Sequence, residues 1–177
     1  MDRSQRFAQR GTTLIELTVA MAVAAIGAGI ALPGYEQLRQ RHHLEGVAAE
    51  LETHIHYARS LAVERQATLR VSFDPKTESC YVVHSGDIGS CSCSTAGPVC
   101  QVGAEAFATQ RLDASRPVSF KANVGSMGID PDHGTVTPTS TIGVQSRRGE
   151  RLNVVVNIMG RVRTCEVGAS SRGYPKC

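Results

Sequence analysis

From Leu17 to Leu32 the chain carries no charged residue, and a single carboxylate, Glu16, stands immediately before that run. An apolar stretch of this length must end in a membrane or in the core of an assembly. It is read as an α-helix, which satisfies its own backbone polar groups away from water. With residues 12–16 and 33–35 on either side, the helix reaches roughly 36 Å at a rise of about 1.5 Å per residue, enough to cross a bilayer. An ionised carboxylate in lipid costs roughly 3 kcal/mol, so Glu16 calls for a cation. None lies in the run. The partner is therefore expected in another chain. If a short leader ending at Gly11 is removed, the amine freed on Thr12 is such a cation and can meet Glu16 of a neighbouring copy.

The leader carries Arg3, Arg6 and Arg10 against Asp2, so the positive-inside rule holds the N-terminus in the cytoplasm and sends the rest outward. A secretory signal would place an apolar core before its cleavage site. Here the site precedes the core, which argues against that reading. A hydrophilic leader ending in Gly11, followed by Thr13-Leu14-Ile15-Glu16-Leu17 with Glu16 fifth after the glycine and Pro33 further on, resembles the processing site of type IV prepilins and type II secretion pseudopilins. Thr12 departs from the Phe or Met usual at that position. The resemblance implies cleavage after Gly11 and N-methylation of Thr12 by prepilin peptidase, with Glu16 serving assembly. It also implies a single-pass protein of the inner membrane whose C-terminal domain lies in the periplasm and later in an extracellular pilus.

Beyond the anchor about 140 residues remain, enough for one core. Six cysteines, an even count, fit an oxidising compartment. Cys165 and Cys177 bracket the C-terminus and are expected to pair, closing a loop worth roughly 3 kcal/mol. Cys80, Cys91, Cys93 and Cys100 form a second group whose pairing the spacing leaves open. Four thiols also raise zinc, but Cys91-x-Cys93 is tighter than the usual two-residue spacer, and exported thiols tend to oxidise. No metal or cofactor is expected. His42-His43 and His54-x-His56 lack the i, i+4 spacing of a helical ligand pair and are read as solvated.

After Pro33, apolar residues recur at Leu44, Ala48, Leu51, Ile55, Ala58 and Ala62, the stripe of a continuing helix; Glu45, Glu50, Glu52 and Glu64 occupy the other face. One helix is expected from about Thr12 to Gln66, with Pro33 kinking or loosening it. The period then becomes two. Leu69, Val71 and Phe73 alternate with polar residues, and Cys80 to Val83 follows a turn over Pro75 to Glu78. Residues 84–117 read as an irregular, disulfide-tied loop with at most a short strand. Further strands are expected over Val118–Phe120, Thr135–Thr137, Thr141–Val144, Leu152–Ile158 and Arg161–Cys165. The fold class is α+β: a spine helix, half transmembrane and half amphipathic, packed on a C-terminal antiparallel β domain. The expected organisation is a leader over 1–11, a transmembrane or filament-core helix over 12–35, its amphipathic half over 36–67, and a β domain over 68–177.

Ala58-Arg59-Ser60 late in the helix and Gly160-Arg161-Val162-Arg163 near the C-terminus resemble the FimT/FimU and GspH group of minor pilins and pseudopilins. In FimT members a Gly-Arg-x-Arg motif is associated with DNA binding during natural transformation, which points here to Gly160, Arg161 and Arg163. Charge agrees independently. Residues 12–144 hold 9 basic and 13 acidic side chains, whereas Arg147, Arg148, Arg151, Arg161, Arg163, Arg172 and Lys176 face only Glu150 and Glu166 after that. Such a basic segment suits a polyanion, and arginine suits phosphate. The plain alternative is that Arg161 and Arg163 pair with Glu150 or Glu166. Asp130-x-Asp132-His133-Gly134 lacks the remaining ligands of a calcium loop and reads as a turn. No phosphate loop, no metal pair and no Ser or Cys with an identifiable base is legible, so no enzyme is expected. The expected partners are DNA, other pilins or minor pilins, prepilin peptidase and the inner membrane. A structural minor pilin that primes assembly without DNA, like FimU, and a GspH-like secretion pseudopilin remain open alternatives.

The trans pairing makes a direct prediction. Glu16→Val is expected to leave the domain folded and sharply reduce the chain's incorporation into sheared filaments on an immunoblot; normal incorporation would remove the pairing argument.

Overall fold

The computed structural model describes residues 13–74, 79–94, 96–113, 117–168 and 173–177. Gly11, Thr12, Arg172 and the turn expected over 75–78 lie outside the described residues. Among the described residues helix α1 runs Leu14–Arg65 and is followed by eleven strands. Two compact units divide the chain, one ending at Arg39 and the other covering Gln40–Cys177.

In the first unit Thr13 caps the helix: its Oγ1 accepts from the Glu16 backbone N–H at 3.4 Å, and its carbonyl accepts from Leu17 at 3.1 Å. Leu14, Ile15, Leu17, Met21 and Val23 are exposed. Among the described residues no single helix is long and apolar enough to cross a membrane. The stretches Leu14–Gly29 and Gly34–Arg65 meet that requirement together.

In the second unit the six apolar helix positions expected to face a core are all 2% exposed or less, and Val47 and Leu61 join them. Ala48, Ala58 and Ala62 are wholly buried in that stripe. The helix stops at Gln66, whose positive φ of 51° breaks the α-helical path while its Nε2 donates to the Val63 carbonyl at 2.8 Å.

The strands are β1 (Leu69–Phe73), β2 (Cys80–Ser85), β3 (Cys91–Ser94), β4 (Gly97–Cys100), β5 (Ala106–Arg111), β6 (Val118–Ala122), β7 (Ser126–Ile129), β8 (Val136–Thr137), β9 (Ser140–Ser146), β10 (Arg151–Val156) and β11 (Val162–Val167). They form a five-stranded sheet ordered β5-β2-β1-β7-β8, a four-stranded sheet ordered β11-β10-β9-β6, and a β3-β4 ribbon. Every named strand pair is antiparallel. Alternate residues such as Val71, Tyr81, Met127, Phe120, Val144 and Val154 meet the helix stripe in one core.

Three expectations are corrected. Residues 84–117 hold more than one short strand, because β3, β4 and β5 lie within them. The first two are made of Cys, Ser, Gly and Pro with a single apolar Val99, so no apolar alternation announces them. They are held by disulfides instead: Cys91 faces Cys100 across the ribbon and is bonded to it, while Cys93 is bonded to Cys80 on β2. The second correction is β7, unpredicted because Gly125 and Gly128 interrupt the Met127 and Ile129 alternation. The third concerns His54, which is half-buried, not solvated, with Nδ1 2.7 Å from the Tyr81 hydroxyl. Burial, aided by the charge of Glu50, pushes the Tyr81 phenol well above its ordinary pKa.

The β7–β8 loop is a tight polar turn. Asp130 Oδ1 accepts from the backbone N–H of His133 at 2.9 Å and of Asp132 at 3.1 Å, and the Gly134 N–H closes on the Asp130 carbonyl at 3.0 Å. Among the described residues no cluster of His, Cys, Asp or Glu is arranged for a metal ion.

Two predictions follow from this packing. Leu51→Ala removes a wholly buried side chain and is expected to cost about 3 kcal/mol, while Glu64→Ala on the exposed face stays within about 0.5 kcal/mol; thermal melts of the full chain in detergent compare them. The Asp130 carboxyl is held below its ordinary value, chiefly by the His133 backbone N–H. Because its folded value is depressed, its support of the turn is complete above about pH 4 and fades as the pH falls through the lower folded value. The His133 amide resonance should therefore shift at acidic pH in the wild type and stay flat in Asp130→Asn.

Candidate functional site

The two arginines of the Gly-Arg-x-Arg motif sit at the hairpin joining β10 and β11. Strand β10 ends at Val156, so Asn157 and Ile158, expected in the strand, belong to the turn. Asn157 organises that turn from both sides. Its backbone carbonyl accepts from Gly160 at 3.0 Å, its N–H donates to the Arg161 carbonyl at 3.1 Å, and its Oδ1 accepts from the Arg161 N–H at 2.9 Å. Gly160 has a φ of +70°, in the left-handed region that favours glycine. Val162 turns inward at 9% exposed, and Arg161 and Arg163 turn outward. Together with Val155 and Asn157 they line one shallow recess of about 290 Å³.

Neither arginine has an ion-pair partner among the described residues. Of the two acids proposed to neutralise them, Glu150 lies in the β9–β10 turn at the other end of β10, and Glu166 is engaged elsewhere: it is 6% exposed and its Oε1 lies 3.5 Å from Arg41 Nη1 on the helix. Arg41 also holds Glu45 at 2.9 Å. Its burial alone would lower its pKa, but the Glu45 hydrogen bond and the charges of Glu166, Glu45 and Glu150 outweigh burial and raise it.

The other basic residues divide into two places. Arg147 and Arg148 lie in the β9–β10 turn and Arg151 opens β10, so all three are at the far end of the four-stranded sheet from Arg161. The Arg151 guanidinium packs over Gly143. Lys176 pairs in register with Glu166, three residues beyond Arg163 along β11. The tail is fastened there by a Cys165–Cys177 disulfide, by Glu166 N–H to the Pro175 carbonyl at 2.8 Å, and by Cys177 N–H to the Glu166 carbonyl at 3.1 Å.

One neighbour of the hairpin was quoted in the sequence without a role. Arg59, from the Ala58-Arg59-Ser60 segment, donates through Nε to the Gly134 carbonyl at 3.0 Å. A Cβ at Gly160 would meet that same carbonyl at 2.5 Å and Arg59 Nε at 3.0 Å, and a Cβ at Gly134 would meet Arg59 Nε at 2.6 Å. Two glycines are thus required where helix, β7–β8 loop and arginine hairpin converge. The only advance signals were Asn157 beside a glycine turn and the Asp-His-Gly sequence of the loop.

A serine and imidazole pair, not legible in the sequence, is buried on the outer face of the five-stranded sheet. His84 is wholly buried, with Nε2 2.8 Å from Ser72 Oγ and Nδ1 2.7 Å from the Ser85 carbonyl; Ser126 Oγ lies 3.1 Å from Ser72 Oγ. It joins β1, β2 and β7 as a polar network of the sheet.

Comparison with known proteins bears on both ends of the chain. The family described as type II transport protein GspH matches residues 47–160, and the prokaryotic N-terminal methylation motif matches residues 6–32. No curated protein sequence matches significantly. The fold is similar to that of the type IV minor pilin FimU of Pseudomonas aeruginosa, with a TM-score of 0.51 and 16% identity over 70% of this chain and 88% of that one. The minor pseudopilin EpsH of the Vibrio cholerae type 2 secretion system gives a TM-score of 0.48 and 12% identity over 67% of this chain and 93% of that one. The methylation motif implies processing by prepilin peptidase, a membrane-anchored precursor and assembly with other pilins. Matched by the family over residues 47–160 of its 177, the chain belongs to the GspH family of minor pilins and pseudopilins.

Proposed function

We propose that this minor pilin is FimT-like: it binds extracellular DNA without sequence preference, for uptake in natural transformation, through Arg161 and Arg163. The observation that carries the reading is that both guanidinium groups stand exposed on one recess with no carboxylate partner among the described residues, while Glu166 is turned to Arg41. Uncompensated arginines two residues apart can reach successive phosphates, a contact that gives affinity without base readout. Gly160 shapes the turn that presents them. Lys176 lies along the same strand as an auxiliary. Arg147, Arg148 and Arg151 form a separate basic region that a longer duplex reaches, and Arg172 completes the basic set.

The chain is delivered to this role as a single-pass inner-membrane precursor with its domain in the periplasm. Prepilin peptidase cleaves after Gly11 and methylates Thr12, and Glu16 pairs with that amine as the filament grows. A second reading, a pseudopilin of type II secretion, is favoured by the description of the matching family. In that reading the hairpin meets protein and no nucleic acid.

Titrating the full chain in non-ionic detergent with a short duplex separates the two. Wild-type binding is expected to weaken steeply with salt, and Arg161→Ala and Arg163→Ala should each lower the slope of log affinity against log salt by about 0.9. Wild-type affinity in a folded double mutant would refute the site, and absent binding at low salt would leave the assembly-priming and secretion readings.

A further inference from the structure

We infer that Arg59 is a positioning residue of the arginine hairpin: it holds the β7–β8 loop and the Gly160 turn together so that Arg161 is presented to phosphate. The inference rests on the DNA reading for its functional consequence and on the packing for its geometry.

The helix supplies the anchor. Arg59 follows Ala58, which is wholly buried, so the side chain leaves α1 at the margin of the core stripe. Its Nε donates to the Gly134 carbonyl at 3.0 Å, its Cγ lies 3.3 Å from where a Cβ on Gly134 would be, and its Cδ lies 3.2 Å from where a Cβ on Gly160 would be. The side chain is therefore laid against two glycine backbones, and the Gly134 carbonyl that it holds is the same atom that Gly160 approaches most closely. The Val136 N–H to the Ile158 carbonyl, at 2.8 Å, closes the contact from the far side. Arg161 is the next residue after Gly160, and its N–H is fixed by Asn157 in the same turn.

The chemistry requires arginine. The donor that meets Gly134 is partway along the side chain, at Nε, where lysine has only a methylene. A lysine keeps the charge and loses this bond. A residue acting as a phosphate contact would behave oppositely, since lysine preserves a point charge for phosphate.

The test uses the full chain in detergent with a short duplex as probe, and hydrogen exchange of the peptide covering residues 157–161 as a readout independent of DNA. Arg59→Met and Arg59→Lys are both expected to quicken exchange in that peptide while the β9–β10 peptides keep their protection. Each should weaken duplex binding by about eightfold at about 0.1 M salt, the share of one phosphate contact. In the Arg59→Met background, Arg161→Ala should add no further loss, because the contact that it removes is already gone. Gly160→Ala leaves Arg59 intact but drives a Cβ onto the Gly134 carbonyl, and should reproduce the effect if the Arg59 variants fail to fold. Unchanged exchange, full rescue by Arg59→Lys, or multiplying losses in the double mutant would each overturn the positioning role. Quickened exchange in a protein whose wild type binds no duplex would strike the DNA reading and leave the structural hold of Arg59 standing.

Discussion

The domain depends on one buried stripe of the helix, which residues of both sheets meet in a single core. Ala48, Ala58 and Ala62 are wholly buried beneath both sheets, flanked by Leu51 and Ile55. Close-packed interiors feel a change of a single methylene, so this shared core tolerates little change in the side chains of the stripe. Polar contacts tie the flank of the helix to the strands around it: Glu50 meets Gln110 on β5, Thr164 on β11 donates to Glu52 at 3.1 Å, and His54 meets Tyr81. Arg59 is one more tie of the same kind, placed at the end where the arginine hairpin lies.

These ties also account for the charge pattern. Read as a list, the helix carries enough glutamates to neutralise the basic C-terminal segment. In the fold Glu45 and Glu166 share Arg41, and Glu50 and Glu52 are taken by neutral donors on the strands. Acids are held at the helix flank while Arg161 and Arg163 project from the hairpin. A net charge of +3 says little about this; the separation of the two signs comes from packing.

What could be read in the sequence followed how regularly physics writes each element. The helix stripe was legible position by position, because a 3.6-residue period over many turns has few imitators. The β1–β2 hairpin and the C-terminal strands were legible from alternation, with ends displaced by one or two residues, as at Asn157 and Arg161. The β3–β4 ribbon was hidden, since covalent bonds replace apolar alternation there, and β7 was hidden by glycines that make room for Arg70 over Gly128. At the site, Gly160, Arg161 and Arg163 could be named in advance. Their relation to Arg59 and Gly134 could not, because it joins residues 75 positions apart in the chain through a single hydrogen bond.

The fastening of the C-terminus has a consequence of its own. Strand β11 is the edge of the four-stranded sheet, and an open edge is a template on which another chain can add a strand. Lys176 lies in parallel register against Glu166, and the Cys165–Cys177 bond locks it there. The last residues of the chain thus occupy part of that edge as a permanent occupant of its hydrogen-bonding groups. A neighbouring domain therefore meets backbone groups that are already paired on this part of the edge, which guards against strand-by-strand addition there.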